Sequence, residues 1–410
     1  MSRRFVAVAA ACLIASAATG SAQEHQHQHQ SDQPSSPWML MGDGTIFGLF
    51  NHQGGPRGGD EFKAPNWWMG MASRRAGSGR LTLTGMLSLD PLTAGEAGYR
   101  EIFQVGEALD GRPLIDRQHP HDLFMQLAAS WRVPLSDATA VTITGAPVGE
   151  AALGPVAFMH RPSSENIPLA TLSHHTFDST HIAFGVIAAA VDRGAWTFEA
   201  SVFNGREPDQ HRWDFDFGPL DSVSGRVWFR PAPAWEVQVS TGHLVDPEEL
   251  EPGNVQRTTA SVSWFDRADD HHFGAVTIGY GVNAAHDTQR HAGFIEATRH
   301  LGANSWSVRG ELLQVERDLL VADRVPGPGA GPEARDALGA LTFGMDHDII
   351  TRRNFEAALG GNVTFYAVPA SLQPSHGQHP VSFQLFVRVR PPAGSMGRMW
   401  NMRMGKTMQH

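Results

Sequence analysis

Residues 194–203 read GAWTFEASVF, and their alternation decides how the chain is built. Trp196, Phe198, Ala200 and Val202 fall on one side, with Thr197, Glu199 and Ser201 on the other. Successive side chains of an extended strand point to opposite faces, so this segment is a strand with one apolar and one polar face. RLTLTGMLSLD (80–90) repeats the pattern, with Leu81, Leu83, Gly85, Leu87 and Leu89 opposite Thr82, Thr84, Met86 and Ser88. AWEVQVSTG (234–242), TTASVSWF (258–265) and VSFQLFVRVR (381–390) do the same. Less regular strands are expected near 45–51, 66–75, 122–133, 138–146, 180–191, 220–230, 272–282, 291–300, 304–315, 337–346 and 354–366. Many are about ten residues long, the length a tilted strand needs to cross hydrocarbon. Turn signals such as AGSG (76–79), PAPA (231–234) and LGAN (301–304) separate them. Long loops are expected at about 106–120 and 146–179, with shorter ones near 205–219 and 316–336. No segment of helical length carries a 3.6-residue period.

Two architectures accommodate such strands: a soluble sandwich or barrel with the apolar face inside, or a transmembrane barrel with it against lipid. The polar faces carry Glu199, Arg226, Glu236, Arg309 and Glu311. A dry core could not bury these unpaired, but a wet lumen could. Trp67, Trp68, Trp131, Trp196, Trp228, Trp235, Trp264 and Trp306 lie near strand ends, where an aromatic girdle would sit. No run of 18 apolar residues offers a membrane helix. The expectation is an all-β, transmembrane antiparallel up-and-down β-barrel of about 14–16 strands.

The flanks read differently. MSRRFVAVAAACLIASAATGSAQ has two arginines, an apolar run and small residues, the pattern of a secretory signal cleaved after Ala22. Cys12 falls within that apolar run and is the single cysteine, so the processed chain has no disulfide, thiol nucleophile or thiolate metal site. Losing Arg3 and Arg4 takes the net charge from −10 to −12, which excludes a basic nucleic-acid surface. Residues 23–43 are expected to form a disordered His/Gln-rich arm, 44–390 the barrel, and 391–410 a Met-rich tail.

At this level the chain resembles bacterial outer-membrane β-barrel proteins of the porin-like type. The resemblance covers the export signal and roughly residues 44–390. It implies short periplasmic turns, long external loops, and outer-membrane lipid as the partner of the wall. One departure is the tail PPAGSMGRMWNMRMGKTMQH after the last strand, where such barrels usually end on an aromatic residue.

All 21 histidines lie beyond the signal, many beside acids. In DRQHPHD (116–122), His119 and His121 would share one side of an extended segment, with Asp116 or Asp122 as an oxygen ligand. The same residues also suit a polar turn entering the next strand. In SHHTFDSTH (173–181), His174, His175, Asp178 and His181 suit a metal site, a solvated loop, or a hydrolytic set with Ser173 or Ser179 as nucleophile. No elbow motif marks either serine. In NGREPDQHRWDFDFGPLDS (204–222), Asp214 and Asp216 would bind a hard cation, line the pore mouth, or join a salt-bridged loop. His25, His27 and His29 of the arm and Met399, Met402 and Met404 of the tail suit copper or zinc. In composition they are similar to the His/Met-rich extension of copper-resistance outer-membrane barrels; a merely solubilising arm and tail would read the same.

The expected function is a channel or binding protein for metal ions or small polar solutes. His119, His121, Asp122, His174, His175, Asp178 and His181 would form one polar constriction, and no catalytic residue is required. The alternative is a barrel-embedded hydrolase acting on lipid.

Overall fold

The computed structural model describes residues 38–249, 251, 253–269, 271–285, 288–322 and 334–392. The first strand, β1 (Met39–Gln53), pairs with the last, β19 (Val381–Arg390), with Ile46 to His52 opposite Val389 to Phe383, so the sheet closes on itself. Between them lie β2 (Gly59–Lys63), β3 (Asn66–Ala76), β4 (Gly79–Leu87), β5 (Tyr99–Leu109), β6 (Arg112–Gln118), β7 (Phe124–Ser136), β8 (Thr139–Gly149), β9 (Ala183–Arg193) and β10 (Trp196–Phe203). There follow β11 (Ser222–Ala232), β12 (Trp235–Leu244), β13 (Val255–Asp269), β14 (His272–Ala285), β15 (Thr288–Leu301), β16 (Asn304–Glu316), β17 (Arg335–Thr351) and β18 (Glu356–Ala367). Neighbours in the wall are antiparallel. β2 and β3 both pair with β1, on either side of Ala64 and Pro65, and act as one interrupted strand. The closed wall therefore has sixteen strands.

The alternation read at 194–203 is the alternation of the wall. Trp196, Phe198 and Val202 are exposed, whereas Thr197 and Ser201 are buried toward the lumen. Leu385 and Val387 of β19 face outward, while Gln384, Arg388 and Arg390 are buried inside. The inward charges are paired: Arg226 bonds Glu199 at 2.6 Å and Glu150 at 2.8 Å, and Arg230 bonds Glu236 at 2.8 Å. Apolar residues on the outside of a closed antiparallel sheet face lipid, because closure leaves no unpaired edge in the hydrocarbon. Ile295→Arg, near the middle of β15 and exposed, is expected to cost about 2–4 kcal/mol in urea unfolding from lipid vesicles.

The lumen is not empty. β5 and β6 pair only with each other and form a hairpin inside the wall. Its Ile102 and Phe103 pack with Leu172 and Phe177 of segment 150–182 against the inward-facing Phe294 and Leu338. That segment is buried almost throughout. Wall groups capture its backbone: Ser201 and Ser240 accept the amides of Ala152 and Gly154, each at 2.9 Å, and Thr298 donates to the carbonyl of Ser163 at 3.0 Å.

Several expectations need correction. The loop expected at 106–120 contains β6 and the end of β5. The arm assigned to 23–43 overlaps β1, which begins at Met39 and pairs with β3 from Met39 onward. Trp131, Trp196, Trp235 and Trp306 are exposed on the outer face, but Trp67 and Trp228 are buried on the lumen side and do not belong to a girdle. Trp228 donates its indole N–H to Glu199 at 2.6 Å. The signal, His25, His27, His29 and the tail methionines lie outside the described residues.

Candidate functional site

The loop leading from the hairpin to β7 carries His119, His121 and Asp122. Segment 150–182 carries His174 and His175 on a single helical turn (His174–Phe177), followed by Asp178 and His181. The fold brings the five imidazoles into one row that doubles back at His175, where the His119 ring also comes within 6.5 Å of His174. Ring centres are 5.7 Å apart for His119–His175, 5.4 Å for His175–His174, 5.3 Å for His174–His181 and 5.6 Å for His181–His121. His119 and His121 thus sit at opposite ends of the row, not side by side on one extended segment as the sequence suggested.

Each ring points its Nδ1 at an oxygen. His119 meets the Pro120 carbonyl at 3.1 Å, His121 meets Asp90 at 2.8 Å, and His174 meets Asp178 at 2.7 Å. His175 meets Glu207 at 3.0 Å, and His181 meets the Asp178 carbonyl at 2.7 Å. A carbonyl or carboxylate accepts, so Nδ1 is the protonated, donating atom and Nε2 carries the lone pair. Histidines that bind metals are commonly oriented this way. The Nε2 of His181 is buried and has no hydrogen-bond partner.

Ligand atoms of three groups converge at two places among the described residues. His175, Glu207 and Glu248 bring theirs within 4.8 Å of one another, as do Asp209, Asp214 and Asp216 on the more exposed loop. The seven expected site residues are therefore neighbours, but they do not close on one shared centre. Asp122 is held by Arg212 at 3.3 Å. Asp178 accepts from Arg161 at 2.8 Å and from the Phe158 amide at 2.9 Å. Glu207, Glu248, Asp90 and Arg212 were not assigned from sequence; Glu207 sat in a quoted acidic loop, while DPEELEP (246–252) gave no motif.

Burial and the nearby Arg212 depress His119 well below the usual imidazole range. Burial and His174 do the same for His181, and burial lowers His174 despite Asp178. Burial raises Asp122 to about 6, with Arg212 opposing. Burial would raise Glu207, but His175 beside it holds it low, whereas burial and Glu207 together push Glu248 up. Burial therefore favours the neutral form of His119, His174 and His181.

No protein-family model matches the chain, and no curated protein matches it. Solved structures do. A loop-deleted OmpT, an outer membrane protein of Vibrio cholerae, aligns with TM-score 0.50 at 8% identity, over 86% of this chain and 99% of that one. Salmonella typhi OmpF in complex with daunomycin aligns with TM-score 0.50 at 8% identity, over 86% and 97%. The anion-selective porin of Comamonas acidovorans gives TM-score 0.49 at 10% identity, over 86% and 100%. The chain has the fold of a porin-like outer-membrane β-barrel.

The segments after β8, β10 and β12 all leave the end of the barrel opposite the two-residue turns between β7 and β8, β9 and β10, and β11 and β12. The porin-like barrel differs from an open pore in the two segments that occupy its lumen. Its lumen serines are engaged elsewhere: Ser173 donates to Glu311 at 2.9 Å, and Ser179 accepts from Arg257 at 2.9 Å. Both lie inside, away from the lipid that a hydrolase of this kind would attack.

Proposed function

We propose that this barrel binds zinc- or copper-class metal ions at its external end and admits them, with other small polar solutes, into the lumen. The observation that carries the reading is the row of five imidazoles, each held through Nδ1 by an oxygen, with the buried Nε2 of His181 unpaired at its middle. Neutral imidazoles favour borderline metals over hard ones. Glu207 and Glu248, 3.0 and 3.9 Å from the Nδ1 of His175, add charge attraction beside the outermost imidazole. Rings 5.3–5.7 Å apart then supply successive binding groups along the row. Several weak sites in series suit passage better than one tight site. The arm and tail residues His25, His27, His29, Met399, Met402 and Met404 would act as soft-metal collectors on the periplasmic side. Asp214 and Asp216, with Asp209, would gather cations outside.

Zinc titrated into the detergent-folded protein is expected to bind and to raise its melting temperature. His174→Ala/His181→Ala should weaken binding by about 10–100-fold, while His347→Ala, exposed at the turn end, should not. A wild-type protein that shows neither heat nor a thermal shift with zinc or copper would remove the metal reading. Planar-bilayer conductance without metal would then leave a channel for other solutes.

A further inference from the structure

Away from the histidines, the hairpin, segment 150–182 and the wall enclose a small polar cavity with about 20 Å³ of room for the centre of a water-sized occupant. That is enough for one ion or one or two waters. Glu101 of β5 and Glu311 of β16 both line it, together with Thr342, Thr364 and Gln384. Glu101 is 5% exposed, and its Oε2 has no hydrogen-bond partner. Glu311 accepts from the Ser173 amide at 3.1 Å and from its hydroxyl at 2.9 Å.

The one guanidinium lining this cavity is committed elsewhere. Arg309 donates to Glu296 at 3.0 Å, to the Leu169 and Ala170 carbonyls at 3.1 and 3.0 Å, and to Ser164 at 2.6 Å. Among the residues that line the cavity, Glu101 and Glu311 face a single guanidinium, that of Arg309. Two carboxylates against one guanidinium leave an excess of one negative charge. An uncompensated buried carboxylate destabilises the fold, so the cavity calls for positive charge. Protons would neutralise the acids and a water could fill the space, but the new hydroxyl donors would need acceptors. A cation supplies the charge and fills the space at once.

The donor atoms are all oxygen. The Thr342 and Thr364 hydroxyls bond each other at 2.9 Å, and Gln384 spends its amide nitrogen on Asn51 at 3.1 Å, which leaves its oxygen to accept. Carboxylates, hydroxyls and an amide oxygen select a hard cation. An irregular set suits calcium, which tolerates variable coordination, better than magnesium, which demands an octahedron. We propose that Glu101 and Glu311 hold a calcium-class divalent cation between the inserted hairpin and the wall, and that this ion fastens the hairpin in the lumen.

The test uses the full chain folded in detergent and stripped with chelator, in an Asp214→Asn/Asp216→Asn background that silences the exposed acids. Calcium is expected to bind with one equivalent by calorimetry and to raise the melting temperature saturably, with magnesium weaker. Glu101→Gln should weaken calcium at least tenfold, and Thr342→Val/Thr364→Val should weaken it without removing either carboxylate. His174→Ala/His181→Ala should leave it intact, which separates this site from the imidazole row. Calcium binding unchanged in both the glutamate and threonine variants would overturn the proposal. So would a melting temperature that responds to acid but not to calcium, since the pair would then carry a proton.

Discussion

Arg161→Met is expected to unseat the inserted segment and to produce the largest stability loss of any single change in the lumen. Arg161 is 2% exposed and bridges its own segment to the wall. It bonds Glu296 of β15 through two nitrogens at 2.8 and 3.1 Å, Asp178 at 2.8 Å, and the Val156 carbonyl at 2.8 Å. Removing one partner of a buried pair strands the other, at a cost of about 3–5 kcal/mol. Here two carboxylates lose a guanidinium at once, although Glu296 keeps Arg309 and Asp178 keeps His174 and the Phe158 amide. The expected readouts are a lower unfolding midpoint, new protease cleavage within 150–182, and higher single-channel conductance as the segment detaches. Adding Glu296→Gln to Arg161→Met should restore part of the loss, because it removes a buried charge that has lost one of its two guanidiniums. Conductance and protease resistance like wild type would mean that Ile102, Phe103, Leu172 and Phe177 hold the segment by apolar contact alone.

The second large effect is acid sensitivity from the imidazole row. His119 and His181 have folded-state pKa values pushed down by burial. Above their unfolded pKa near 6.5 they are neutral in both states, and their stability contribution is fully present. As pH falls below about 6.5 the unfolded chain takes up protons that the folded chain refuses, so stability drops by up to about 1.4 kcal/mol per pH unit for each histidine. Asp122 acts in the opposite sense, since burial raises it and the folded state gains its proton first. The whole-protein curve mixes these signs. The difference between wild type and His119→Gln/His181→Gln isolates the histidines. Its slope between pH 6.5 and 5 is expected to approach about 2.7 kcal/mol per unit, measured by denaturant unfolding at a series of pH values. A pH-independent difference would show that the two rings stay solvated and titrate normally.

The wall was legible from sequence because each wall strand has lipid on one side and the lumen on the other. That contrast writes a period of two at 80–90, 194–203, 234–242, 258–265 and 381–390, and the wall follows it. The hairpin was not legible because protein surrounds both its faces. Ile102, Phe103 and Gln104 are consecutive and all buried, so no alternation survives. One local signal was present: Asp110 and Gly111 take positive φ of 52° and 70°, as a two-residue hairpin turn requires. The site was half legible. His and Asp density marked 116–122 and 173–181, but the carboxylates at positions 90, 207 and 248 arrive from separate loops. Their meeting depends on how those loops fold over the lumen, which no local spacing encodes.

The closing seam has a bearing on the order in which the molecule assembles. Arg388 and Arg390 sit on the final strand, and both reach Asn166 of the inserted segment; Arg390 also bonds Glu165 at 3.0 Å. The strand that closes the wall therefore contacts the filling as the cylinder is sealed. A misthreaded filling would leave two guanidinium groups without those oxygens at the moment of closure, so sealing is favoured once the contents are correctly stowed.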